Sequence, residues 1–205
     1  MGDDVKSWKS IVAAAALVSF ALALAGFGAV LDGYAHSRHP VALLGAAGVP
    51  YALWFNLLAF VLPGVLAAAV AVGLRQSLAG TRWSVRVGAQ LVLLSALAFA
   101  AQGLLPLDPQ DFDAAPSRLH ATVWLLWWLA FAAGALAIAI GSRSRARPEL
   151  RGFSQASLIA ALAVLLFALV LPSLLPVGLA QRAAFGAWLL WWLAAARAQA
   201  APRPS

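Results

Sequence analysis

The sequence predicts an all-α polytopic membrane protein, a single domain folded as a six-transmembrane-helix bundle with both termini cytoplasmic. Three observations carry that expectation. First, 63% of the 205 residues are hydrophobic and 10% are charged, with a mean hydropathy of +0.88. Soluble domains carry roughly a quarter charged residues, and disordered chains lack this much apolar surface. Second, six apolar segments approach the length of about 20 residues that crosses a hydrocarbon core. Third, the basic residues are concentrated in alternate connections between those segments, as the positive-inside rule requires.

The expected spans are 11–31, 50–74, 87–105, 119–140, 153–171 and 176–196. The run Ile11–Leu31 has 21 residues. The apolar core of a secretory signal has only about 7–15, so the run reads as a retained helix, with cleavage near Ala23-Leu24-Ala25 as the alternative. Ala21, Ala25 and Ala29 form a small-xxx-small ridge suited to close helix packing. In the second span, Pro63-Gly64 predicts a kink. Gly103 and Pro106 close the third span, and Pro172 follows the fifth. Only 14 residues separate Arg182 from Arg197, about 21 Å of helix and too short to cross. The sixth span therefore starts near Pro176, with Arg182 inside it, either snorkelling outward or pointing into a polar interior.

Orientation follows from charge. One set of connections and termini holds 11 basic and three acidic residues, including Arg143, Arg145, Arg147, Arg151 and Glu149. The other holds three basic and four acidic residues, so the two sides carry +8 and −1. The basic side is expected in the cytoplasm of a bacterial cell, the protein lying in the cytoplasmic (inner) membrane. Tryptophans 54, 124, 127, 128, 188, 191 and 192 fall in the outer halves of their spans, as an aromatic belt does. The string WLLWWLA occurs at 124–130 and 188–194, and either extends that belt or lines a lipid or isoprenoid groove.

Composition excludes several chemistries. There is no cysteine, hence no disulfide, thiolate metal site or cysteine nucleophile. Lys6 and Lys9, the only lysines, precede the first span. The basic residues form no continuous face, so no nucleic-acid partner is expected. Membrane lipids are the expected partners, with a second copy of the chain or a partner membrane subunit as further possibilities.

The chemistry-bearing residues gather at the outer side. Its first loop reads Asp32-Gly-Tyr-Ala-His36-Ser-Arg-His39-Pro40. His36 and His39, three apart, could share a metal such as zinc with His120, or remain in a solvated loop, or contact an anionic headgroup. Asp108, Asp111 and Asp113 lack the glycine and terminal glutamate of a calcium loop. His120 in the first turn of the fourth span suits a base, an acceptor or a ligand. Paired with Asp108, it would form the carboxylate-oriented imidazole of general-base catalysis. Asn56 and Gln102 are amides inside spans that need partners or a polar cavity. Arg182 would pair with Asp32, Asp108 or a lipid phosphate. Trp124 and Trp188 are the expected ligand-binding aromatics of the WLLWWLA strings. Haem is not expected, because two histidines lie in a loop and one at a helix end rather than on facing helices.

Several short motifs occur in order: His39-Pro40-Val41 with Leu44-Gly45, Phe55-Asn56 with Gly64, and Gly103-Leu-Leu-Pro-Leu-Asp108 before Leu119-His120. In this the chain resembles the domain-of-unknown-function 998 family of six-helix bacterial membrane proteins along nearly its whole length. That family tends to have serine two residues before the Leu-Gly pair, where this chain has Ala42. The resemblance implies a six-span fold and singles out Asn56, Asp108 and His120, without supplying an activity. Two functions are expected. One is binding of a lipid-like ligand or a partner in an outer-face polar pocket. The other is a membrane-embedded hydrolase or transferase, metal-dependent or not, acting on a lipid-like substrate at the outer leaflet.

Overall fold

The computed structural model describes residues 2–142 and 151–200. The expected topology signals Arg143, Arg145, Arg147, Glu149 and Arg203 lie outside the described residues. Six long helices make up the described chain: α1 (Gly2–Val30), α2 (Ala52–Ser77), α3 (Trp83–Leu104), α4 (Ala115–Gly141), α5 (Arg151–Ser173) and α6 (Val177–Ala200). The first five are long and apolar enough to cross a membrane. The protein is thus a multi-pass, membrane-type helical protein. The expected sixth span is a 24-residue helix. Its ends carry Gln181, Arg182, Arg197 and Gln199, and it falls outside that apolar class.

Each helix packs on its neighbour in sequence, and α6 closes the bundle against α1 and also touches α2. Small residues set the closest crossings. A Cβ on Gly88 would lie 2.6 Å from the Gly134 carbonyl oxygen, and one on Gly134 would lie 2.8 Å from that of Gly88. A Cβ on Gly64 would meet the Ala100 backbone nitrogen at 2.6 Å. These glycines let α3 approach α4 and α2 at backbone distance, where dispersion rather than a hydrophobic gradient holds helices together in lipid.

Proline shapes two helices. α2 contains a π-turn over Leu57–Val61, and α5 one over Leu166–Val170. Each ends two residues before a proline, Pro63 and Pro172. A proline has no N–H for the carbonyl four residues earlier and crowds it, and the widened turn absorbs that loss. The distortion expected at Pro63-Gly64 is therefore a π-turn on the N-terminal side of Pro63.

Aromatic residues fill the interior. Phe185 on α6 packs against Phe20, Phe60, Phe99, Trp124 and Trp127, with ring centroids 4.8–5.9 Å apart. Trp188 stacks on Phe99 at 4.3 Å and donates its indole N–H to Ser95 Oγ at 3.1 Å. Trp191 donates to Ser157 Oγ at 3.0 Å. This corrects the belt assignment: Trp127, Trp128, Trp188, Trp191 and Trp192 are buried, while Trp8, Trp54 and Trp83 face outward. In the WLLWWLA strings these tryptophans are core, whereas Leu125, Leu126, Leu129 and Leu190 face outward. The Ala21, Ala25 and Ala29 ridge faces away from the bundle, and α1 buries Ala13, Ala16, Phe20 and Ala23 instead.

Three connections meet at one end, here the upper end: residues 31–51, 105–114 and 174–176. Ala47 N–H donates to Leu107 O at 2.8 Å, and Leu179 N–H donates to Ser37 O at 3.1 Å. At the lower end, Lys9 donates to Gln199 Oε1 at 2.8 Å, and Gln199 Nε2 donates to Val70 O at 3.2 Å, joining α1, α6 and α2.

Candidate functional site

The site is built at the upper end, beginning where α1 stops. Gly33 takes φ +75°, a left-handed conformation that glycine adopts without penalty, and turns the chain back over the bundle. Residues 34–40 then lie across the start of α6. Ser37 O accepts from Leu179 N–H, and Gln181 Oε1 accepts from Val41 N–H at 2.9 Å. The Ser37 carbonyl thus serves the Leu179 amide in the first turn of α6, which it shares with Pro176 O at 3.0 Å. Gly178 makes this approach possible. A Cβ there would sit 2.5–2.7 Å from the carbonyl oxygens of His36, Ser37 and His39.

Arg182 locks the same junction. Its guanidinium donates to His39 O at 3.1 Å, Gly178 O at 2.7 Å and Tyr34 Oη at 2.6 Å, and lies 3.2 Å from His36 Nδ1. Arginine can only donate, so His36 Nδ1 must accept. Tyr34 passes its own O–H to Pro40 O at 3.3 Å, and its ring faces the guanidinium at 5.8 Å. Burial pushes the Tyr34 phenol pKa up, against the opposing pull of Arg182. The expected partners Asp32 and Asp108 are not among those of Arg182. Its Nε is buried without a partner among the described residues.

Beside this junction lies a cavity of about 290 Å³, lined by Pro40, Ala42, Gln102, Leu107, His120, Ala121, Trp124, Val177, Gln181 and Phe185. Its walls come from the first loop, α3, the third connection, α4 and α6. Gln102 is 1% exposed, and its Nε2 has no hydrogen-bond partner among the described residues. His120 Nδ1 lies 2.7 Å from Leu105 O. A carbonyl cannot donate, so Nδ1 carries the proton. The ring thereby caps the C-terminal carbonyls of α3, and in its neutral form keeps Nε2 as the lone-pair nitrogen.

The other expected site residues are engaged elsewhere. Asp108 Oδ1 accepts from Gln110 N–H at 2.9 Å, and Asp108 N–H donates to Ser117 Oγ at 3.1 Å. Its carboxylate makes no hydrogen bond to His120, so the expected pair is not assembled. His39 Nδ1 accepts from Ala35 N–H at 3.0 Å, turning the ring into its own loop. Among the described residues no group of three or more His, Cys, Asp and Glu side chains is placed to hold a metal. His36, His39 and His120 therefore do not form the zinc set weighed above. Asn56 is buried and donates to Gly45 O at 2.8 Å, holding the 3₁₀ turn Val41–Gly45 rather than lining the cavity. Trp188 is core, whereas Trp124 lines the cavity.

A family model for proteins of unknown function, DUF998, matches residues 8–198. The chain belongs to the DUF998 family. No curated protein and no solved structure matches it. The resemblance read from Leu44-Gly45, Asn56 and His120 therefore holds. The structure gives those positions local work in this DUF998 chain: an amide holding a turn and an imidazole capping a helix. Sequence reasoning missed Tyr34, Gln181 and Phe185. Tyr34 stands between Asp32 and His36, and Gln181 precedes Arg182, so proximity to the recognised residues was the available signal.

Proposed function

We propose that this DUF998 protein binds an amphiphile in the upper-end cavity, with α6 as a sixth membrane span. In this reading the upper end faces out of the cell, and both termini lie in the cytoplasm of the inner membrane. The observation that carries it is the Gln102 Nε2 donor, buried, without a partner among the described residues, and on the wall of a cavity that is otherwise largely apolar. An unmade hydrogen bond of this kind costs about 1–3 kcal/mol, and a bound acceptor recovers it. A volume of 290 Å³ lies at the low end of small-molecule sites, which run from about 300 to 1,000 Å³. It suits one short apolar segment bearing a carbonyl or ether oxygen, with Trp124 and Phe185 against the segment and Gln102 donating to the oxygen. The unpaired state of Asp108 and His120 favours binding over the hydrolase or transferase alternative.

α6 supports a crossing by its length, roughly 36 Å for 24 residues, and by its burial among the other helices. Its polar ends are occupied, Arg182 by His39 O and Tyr34 Oη of the first loop and by Gly178 O, and Gln199 by α1 and α2.

The test is equilibrium binding of fatty-acid, monoacylglycerol and isoprenoid-alcohol probes to the purified full chain in detergent. Ala42→Phe, which fills the cavity, and Gln102→Leu, which removes the donor, should each weaken the best probe at least severalfold. Retention by both variants at wild-type affinity would sink the proposal. Accessibility labelling that placed Asp111 and Arg75 on the same side of the membrane would sink the proposed topology.

A further inference from the structure

We propose that the groove between α2 and α3 at the lower end is a headgroup site for an anionic diacyl phospholipid. It has a volume of about 350 Å³ and is lined by Val72, Arg75, Gln76, Ala79, Arg86 and Gln90. Among the described residues no carboxylate lines it. None of its four polar side chains hydrogen-bonds to another described residue.

Depth argues for a lipid. Arg75 stands in the last turn of α2 and Arg86 in the first turn of α3. Trp83, 75% exposed at the start of α3, is placed as headgroup-level tryptophans are. Gln90 lies seven residues further along α3, roughly 10 Å deeper, and is exposed on the bundle surface. A bare amide facing hydrocarbon is costly, so this position requires a polar partner supplied from outside the chain. Arg86 and Gln90 are four apart and share a helix face, as do Val72 and Gln76 on α2. Gln76 and Ala79 follow Arg75 toward the lower end, so the groove runs from Arg75, Gln76, Ala79 and Arg86 near the surface to Val72 and Gln90 below them.

That order matches a phospholipid read from phosphate to acyl chain. Two guanidinium groups hold the phosphate with charge-assisted hydrogen bonds. Gln76 joins them at the headgroup, Gln90 donates to an ester carbonyl below, and an acyl chain lies along Val72. Basic pockets between membrane helices on the cytoplasmic side hold anionic headgroups by this chemistry. Inorganic phosphate would engage the arginines and leave Gln90 unserved. This inference rests on the membrane embedding of α2 and α3 and is independent of the upper-end cavity.

The experiment is native mass spectrometry of the purified full chain with an equimolar mixture of phosphatidylglycerol and phosphatidylcholine of matched acyl chains. The wild type should retain phosphatidylglycerol preferentially. Arg75→Gln/Arg86→Gln should reduce that preference, by roughly fivefold for each arginine removed. Arg151→Gln, the same charge change elsewhere on the lower end, should leave it intact, and Arg75→Lys/Arg86→Lys should keep most of it. Gln90→Leu should lower total lipid retention while preserving headgroup preference. An unchanged preference in the Arg-to-Gln pair would overturn the site, as would an equal loss in Arg151→Gln. Displacement of the lipid by millimolar inorganic phosphate would assign the groove to free phosphate and overturn the lipid assignment.

Discussion

Substituting Gly45 by alanine should destabilise the protein, and removing the Asn56 side chain should abolish most of that added cost. Gly45 O accepts from Asn56 Nδ2 at 2.8 Å, and Asn56 is 6% exposed. A Cβ on Gly45 would lie 2.6 Å from Asn56 Cγ and 3.0 Å from Nδ2, and closer still to Oδ1. Overpacking of this kind costs about 1–3 kcal/mol. Asn56→Ala leaves the Gly45 carbonyl unpaired in the interior, at about 1–3 kcal/mol. Independent effects would sum to about 2–6 kcal/mol. In Gly45→Ala/Asn56→Ala the new methyl enters space the amide has vacated, so the pair should cost about what Asn56→Ala costs alone. The expected coupling is therefore about 1–3 kcal/mol. The assay is reversible unfolding by sodium dodecyl sulfate in mixed micelles, followed by helical circular dichroism and tryptophan fluorescence, with coincident transitions as the two-state check. Additivity within about 0.5 kcal/mol would refute the reasoning.

Gly178→Ala should undock the first loop from α6, because the methyl would strike three carbonyls; the Leu179 amide should then exchange hydrogen faster, and unchanged exchange would contradict the contact. Arg182→Lys should behave nearly as Arg182→Gln in the thermal unfolding midpoint, since one ammonium cannot reproduce a fork that serves Tyr34, His36, His39 and Gly178; full rescue by lysine would mean that charge alone matters. The half-buried Tyr34 phenol titrates above its ordinary value in the folded protein. The folded state therefore holds this proton where the unfolded chain releases it, and the corresponding stability is intact below about pH 10 and falls as pH rises through the folded value. Tyr34→Phe should flatten that alkaline decline, and an unaltered alkaline profile in the variant would show that another group causes it.

Helix positions were largely legible in the sequence because the length of an apolar run and its proline and glycine stops are local properties. A distortion of α2 at Pro63 was readable for the same reason, since proline removes a donor wherever it stands, though it takes the form of a π-turn. Facing was not readable. In lipid the outer surface of a helix is as apolar as its core, so Trp127, Trp188 and Trp192 carry no sign of which way they point. Their position near one end suggested a belt, and only packing against Phe99 and Phe185 makes them interior. The ridge Ala21, Ala25 and Ala29 failed likewise, because alanine is common on both faces of α1. Arg182 was legible as an anomaly. Its partners were not, because backbone carbonyls and a tyrosine leave no charge pattern, and the search for a counter-charge led to Asp32 and Asp108. His120 was found by type, but its Nδ1 serves the end of α3, a task set by the third connection rather than by a motif.

Photolabelling reads the occupancy of the upper-end cavity most directly. A photoactivatable short-chain amphiphile, cross-linked to the full chain and mapped by peptide sequencing, should mark the walls that surround Gln102: the peptides bearing Pro40 and Ala42, His120 and Trp124, and Gln181 and Phe185. Labelling should fall in Gln102→Leu. Cross-links confined to outward faces such as Leu22, Ile159 and Leu162, and equal in both proteins, would mean that the cavity holds nothing and that the amphiphile is only solvent.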